Sequence, residues 1–180
     1  MTKHSLTILF LIISFSTNNL SYAETEDTKK MEVKSSAFKN NGIIPKQYTC
    51  DGENFSPPLA WSGISANTKS LALICDDPDA PNGTWVHWII FNMPPAAKGL
   101  QEGVLPVPEF AHTARQGIND FKKLGYSGPC PPSGTHRYFF KLYALNAKLN
   151  LEAGATKKQL EDAMKGHIVD QTELAGKYKR

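Results

Sequence analysis

All 12 prolines of the chain fall between Pro45 and Pro132. Proline has no N–H to donate and a fixed φ, so it is excluded from helix interiors and from central strands. The middle of the chain is therefore strands and loops, and helices are left to the proline-free parts. Three segments carry strand character. Residues 69–76 form an apolar run of strand length. Residues 84–92 (TWVHWIIFN) are aromatic and β-branched, and residues 137–145 (RYFFKLYAL) are aromatic-rich and alternate in part. Pro94-Pro95, Pro106, Pro108 and the run 129–132 punctuate the connections.

The proline-free end reads differently. Thr156-Lys157-Lys158-Gln159 has the form of a capping box, with Thr156 as N-cap and Gln159 three residues on. Leu160, Ala163 and Met164 follow at helical spacing, and Gly166 interrupts. A second helical stretch is expected over 167–175, with Ile168, Gln171 or Thr172, and Ala175 along one side and Gly176 ending it. A strand-rich body with helices segregated near the C-terminus predicts a mainly-β or α+β single domain.

Length and composition agree with one domain. The 180 residues are 41% hydrophobic and 21% charged, ordinary globular usage and enough chain to bury a core. The net charge of +3 is far from the basic footprint of a nucleic-acid binder. Residues 1–23 have the layout of a secretory leader: Lys3 at the start, the apolar run 6–15, and Ser21-Tyr22-Ala23 at the cleavage position. The apolar run is shorter than the roughly 17 residues a membrane span needs. The expectation is export to a periplasmic or secreted location without stable membrane insertion. Cleavage would leave a polar N-terminal segment and a first strand over 24–36, then a single domain over 37–180.

Export implies an oxidising compartment. Of three cysteines, Cys75 lies in the apolar run Leu71-Ala72-Leu73-Ile74 and favours a buried thiol. Cys50 and Cys130 lie in Gly/Pro loop contexts and are the better candidates for one disulfide, against the alternative of three thiols. No Cys/His spacing of zinc type is present, and neither a metal nor a cofactor is expected.

Three clusters carry possible chemistry. Asp76-Asp77-Pro78-Asp79-Ala80-Pro81 follows an apolar strand and on its own reads as an Asx/Pro turn. Trp85-Val86-His87-Trp88 opens the next strand. Strict alternation would set Trp85, His87, Ile89 and Phe91 on one face and Val86, Trp88 and Ile90 on the other. Gly134-Thr135-His136-Arg137-Tyr138 opens a third strand, with His136 and Tyr138 on one side and Arg137 and Phe139 on the other.

In this order the clusters resemble the phosphatidylethanolamine-binding protein family, and most closely its bacterial Raf-kinase-inhibitor-like branch. Tyr48-Thr49-Cys50-Asp51-Gly52, Ser56-Pro57-Pro58-Leu59-x-Trp61, Gly117-x-Asn119-Asp120 and Ala163-Met164-x-Gly166-His167 fit the same pattern, so the likeness runs from about Phe38 to Tyr178. The resemblance implies a large antiparallel sheet packed on a smaller one, with C-terminal helices. It also implies a small pocket for phosphate-type anions and phospholipid head groups. Carried over motif by motif, Asp77 and Asp79 are the acidic pair and His87 and His136 the pocket histidines. Trp85, Pro131 or Pro132, and Tyr138 line the rim. Arg137, facing away from His136, is expected to pair with Asp79 or another carboxylate.

A phosphate needs converging donors, which two imidazoles and close-approaching glycine backbone can supply. A carboxylate such as Asp77 would orient one ring and favour its charged form. The chain lacks G-x-S-x-G, a P-loop, H-E-x-x-H and G-x-G-x-x-G, so a non-catalytic binding protein is expected. The alternative is an inhibitor or modulator of a protein partner, a protease or kinase, acting through the loops around the pocket.

Overall fold

The structure is a computed structural model that describes residues 30–111 and 113–180. The leader expected over 1–23 lies outside the described residues.

The elements in chain order are β1 (Glu32–Lys34), β2 (Gly42–Ile43), a 3-10 turn (Lys46–Tyr48), β3 (Leu59–Ser62), β4 (Ser70–Asp77), β5 (Trp85–Met93), β6 (Gly99–Leu100), β7 (Glu109–Phe110), β8 (Ala114–Gln116), β9 (Thr135–Leu145), α1 (Lys157–Met164) and β10 (Ile168–Lys179). They make a three-stranded sheet, β1-β3-β6, and a seven-stranded sheet, β2-β10-β9-β4-β5-β8-β7. All pairings are antiparallel except β2 with β10. The described chain is thus mostly β with one helix, and the expected large sheet packed on a small one is present.

The apolar strands of the sequence form the centre of the large sheet. Every residue of β4 is buried, as its unbroken apolar run requires of a strand covered on both faces. Leu71, Leu73 and Cys75 face the small sheet, where Val33, Leu59, Trp61 and Leu100 meet them. Ala72 and Ile74 face the other way, into a second cluster with Leu160 and Met164 of α1. The capping box forms: the Thr156 side chain accepts from the Gln159 N–H, and Gln159 Oε1 accepts the Thr156 N–H at 2.8 Å.

The second helix expected over 167–175 is not there. Gly166, at φ +77°, ends the helical region, and residues 168–179 run antiparallel along the whole of β9. The helical spacing was weak, resting on Ile168 and Ala175, whereas Ile168, Val169 and Thr172 are β-branched. The decisive term is tertiary. Without β10 the eleven-residue β9 would present an unpaired row of backbone groups at the edge of the sheet.

Gly176 packs β10 closely against Ile44 and Phe38. A Cβ at this position would overlap the side chains of Ile44 and Phe38. Gly176→Val should therefore destabilise the fold by about 1–3 kcal/mol through overpacking, read as a lower midpoint in chemical denaturation. An unchanged midpoint would contradict this packing.

Candidate functional site

Antiparallel neighbours bring distant residues to one end of the sheet. Asp77 ends β4, Trp85 and His87 open β5, and His136 opens β9, with β4 central between the other two. At that end lies a cavity of about 220 Å³. Asp77, Trp85, His87, Pro132 and His136 line it, together with Ala80, Pro81, Asn82, Phe121 and Cys130.

Both imidazoles are anchored at the same nitrogen. His136 Nδ1 is 2.7 Å from Asp77 Oδ2, and Asp77 Oδ1 accepts the Asp79 N–H at 2.8 Å. His87 Nδ1 is 2.6 Å from the Ser127 carbonyl oxygen. A carbonyl or carboxylate oxygen only accepts, so Nδ1 carries the hydrogen in both rings. Among the described residues, neither Nε2 has a hydrogen-bond partner. His87 is 2% exposed and His136 8%. Burial pushes the His87 pKa below its ordinary value, opposed by the Ser127 hydrogen bond and the charge of Asp77.

His87 reaches the cavity through a β-bulge that alternation did not anticipate. Cys75 pairs with Trp88 but Asp76 pairs with Val86, leaving His87 as the extra residue. Val86 consequently packs with Ile89 and Phe91 on the helix side. His87 instead turns to the side of Trp88 and Ile90, where it meets the Tyr138 ring edge-on with centroids 5.2 Å apart.

Three of the expected rim and acidic residues sit elsewhere. Tyr138 does not line the rim. It shares a face with His136 but lies two residues further along β9, already beneath the cavity and fully buried in the core between the sheets. Burial, and then the nearby Asp77, hold its phenol protonated. Pro131 is buried, and Pro132 takes the exposed position on the wall. Asp79 lies outside the lining, held by Arg137 through Nε at 2.8 Å and Nη2 at 2.6 Å. That guanidinium lowers the Asp79 pKa to about 2.

The residues with no sequence signal of their own belong to loops. Phe121 is 37% exposed and packs edge-on against Trp85 and His87, at 5.5 and 5.3 Å between centroids. It directly follows Gly117-x-Asn119-Asp120, and an aromatic at the end of that motif is the one sequence signal for it. The motif itself is scaffold. Asn119 Nδ2 donates to the Gly125 carbonyl at 2.9 Å and to Ser127 Oγ at 3.0 Å, and Asp120 Oδ2 accepts the Val86 N–H at 2.8 Å. A disulfide joins Cys50 to Cys130, with Cα atoms 5.4 Å apart, and Cys75 is a free, buried thiol. Among the described residues no cluster of three or more His, Cys, Asp and Glu could hold a metal ion.

The chain matches known proteins along most of its length. The family model described as phosphatidylethanolamine-binding protein matches residues 34–179. A UPF0098 protein of Methanothermobacter thermautotrophicus is 55% identical over 150 residues, covering 83% of this chain and 99% of its own. One from Aquifex aeolicus is 49% identical over 153 residues, covering 83% and 89%. Among solved structures, a phosphatidylethanolamine-binding protein homologue from Chlamydia trachomatis superimposes with a TM-score of 0.78 at 43% identity, covering 84% of this chain and 98% of that one. E. coli YbcL, described as a member of the mammalian PEBP family, gives a TM-score of 0.78 at 29% identity over 84% and 99%. The chain belongs to the phosphatidylethanolamine-binding protein family.

Proposed function

We propose that this protein is a non-catalytic binding protein whose cavity takes a small phosphate-type anion, free or as the head group of a larger molecule. The observation that carries this reading is the shared anchoring of His87 and His136. Each Nδ1 is committed to an acceptor of the protein, which leaves two Nε2 atoms for one ligand. Trp85 Nε1 is buried without a partner among the described residues. The aromatic rings of Trp85 and Phe121 suit an apolar or cationic substituent on the anion, and Asp77 suits an amine.

The lining supplies no nucleophile of the serine- or cysteine-hydrolase kind. Among its residues there is no Ser, Thr or free thiol, since Cys130 is in the disulfide. A histidine held by a carboxylate resembles the base of a hydrolase, but a nucleophile within its reach is the missing part. The disulfide supports residence in an oxidising compartment, in keeping with the leader expected at 1–23.

Removing a charge-assisted hydrogen bond costs roughly 1.5–3 kcal/mol. His136→Ala should therefore weaken phosphorylethanolamine by about tenfold or more in calorimetric titration. Equal affinity for wild type and variant would refute the assignment.

The depressed pKa of His87 fixes the direction of a stability effect. The unfolded chain binds a proton more readily at this position than the folded one, so stability rises with pH across the gap. The contribution is fully present above the unfolded value of about 6.5 and is lost as pH falls through the folded value. NMR titration should place His87 below about 6.5, and the decline in melting temperature over that window should shrink in His87→Gln. A His87 titrating above that value would contradict the burial argument.

A further inference from the structure

The anchoring of the two rings implies a rule about which anions fit. With Nδ1–H given to Ser127 and to Asp77, a neutral ring offers the cavity a lone pair at Nε2 and no hydrogen. An oxyanion bridging both Nε2 atoms needs one hydrogen in each N···O contact. Those hydrogens come from the ligand or from protonation of the rings.

The surroundings make the second source costly at His87, a buried ring where desolvation works against the charged form. No Lys or Arg lines the cavity, and Asp77 is the one carboxylate in its wall. The charges nearby are already matched. Arg137 is taken by Asp79 outside the lining, and Asp76 faces the opposite side of the sheet, held by Lys141 and Lys157. His87 is otherwise faced by the Tyr138 ring from β9 and the Phe121 ring from the loop after β8, neither of which supplies charge. An imidazolium at His87 is thus desolvated, and a proton-free dianion would meet the charge of Asp77 with no compensating cation.

We propose that the cavity selects oxyanions that carry their own proton, inorganic phosphate and phosphate monoesters, over proton-free oxyanions of similar shape and charge such as sulfate esters and phosphodiesters. This rests on the reading of the cavity as an anion site. It goes further by setting a free phosphorylated metabolite or head group above an intact phospholipid, whose phosphate is a diester. The monoanion of a phosphate monoester brings one P–OH and requires one ring to protonate. A sulfate monoester or a phosphodiester of the same charge brings none and requires both.

Methyl phosphate, methyl sulfate and dimethyl phosphate separate these cases. Near pH 6 roughly half of a phosphate monoester still carries its second proton, so all three ligands are then available as monoanions. Calorimetric titration of the full chain should give methyl phosphate at least about tenfold higher affinity than either of the others, as expected for one charge-assisted hydrogen bond gained. Repeating the titrations in two buffers of different ionisation heat should show methyl sulfate, where it binds, consuming about half a proton more per molecule than methyl phosphate, whose dianionic half itself takes up a proton on binding. If methyl sulfate or dimethyl phosphate binds as tightly as methyl phosphate, or proton uptake is the same, the proton rule falls while the anion site stands. If none of the three binds, both fall.

Discussion

The antiparallel register between β4 and β9 is the constraint on which the site depends. It sets Cys75 opposite Phe140 and Asp76 opposite Phe139. Because successive strand residues face opposite sides, the adjacent carboxylates Asp76 and Asp77 are sent to different faces of the sheet. Asp76, wholly buried, meets Lys141 at 2.8 Å and Lys157 of α1 at 2.5 Å. Asp77 meets His136. A slip of one residue would turn Asp77 toward the lysines and leave His136 without its carboxylate. Buried charges are tolerated only when paired, so the register is held by electrostatics on both faces as well as by the apolar packing of Leu71, Leu73 and Ile74.

The second histidine depends on loops rather than on register. The bulge at His87 aims the ring into the cavity, and a strap of backbone then fixes which nitrogen faces it. Ser127 N–H donates to the His87 carbonyl at 3.0 Å while its own carbonyl takes the His87 ring. Asn119 and Asp120 tie that strap to β5. Gly128 N–H, bonded to Asn54 Oδ1 at 2.7 Å, and the Cys50–Cys130 disulfide tie it to the segment after β2. The motifs that carry the resemblance are therefore of two kinds. One kind touches the cavity, and the other sets the tautomer of a residue that does.

Much of this was legible in the residues. Proline placement confined the helix to the C-terminal part, three apolar or aromatic runs marked β4, β5 and β9, and the capping box marked the start of α1. What was missed was non-local. The segment 168–179 becomes a strand because β9 needs a partner, a fact absent from the segment itself. Strict alternation misassigned the face of His87, because a bulge is defined by the strand opposite. Tyr138 was placed on the correct side of β9, but how deep a side chain lies below a cavity depends on the loops that build its walls. Phe121 entered the site in the same way, carried by a loop whose path is set by Asn119 and Asp120.

The family relationship and the cavity geometry come together in the pair of anchored imidazoles, whose shared orientation is the centre of this account. A crystal grown in phosphate tests it most directly. The expected result is one phosphate in the cavity, within hydrogen-bond distance of about 3 Å of Nε2 of both His87 and His136. Phosphate bound elsewhere with this cavity left to solvent, or a His87 ring turned so that Nε2 meets the Ser127 carbonyl, would contradict it.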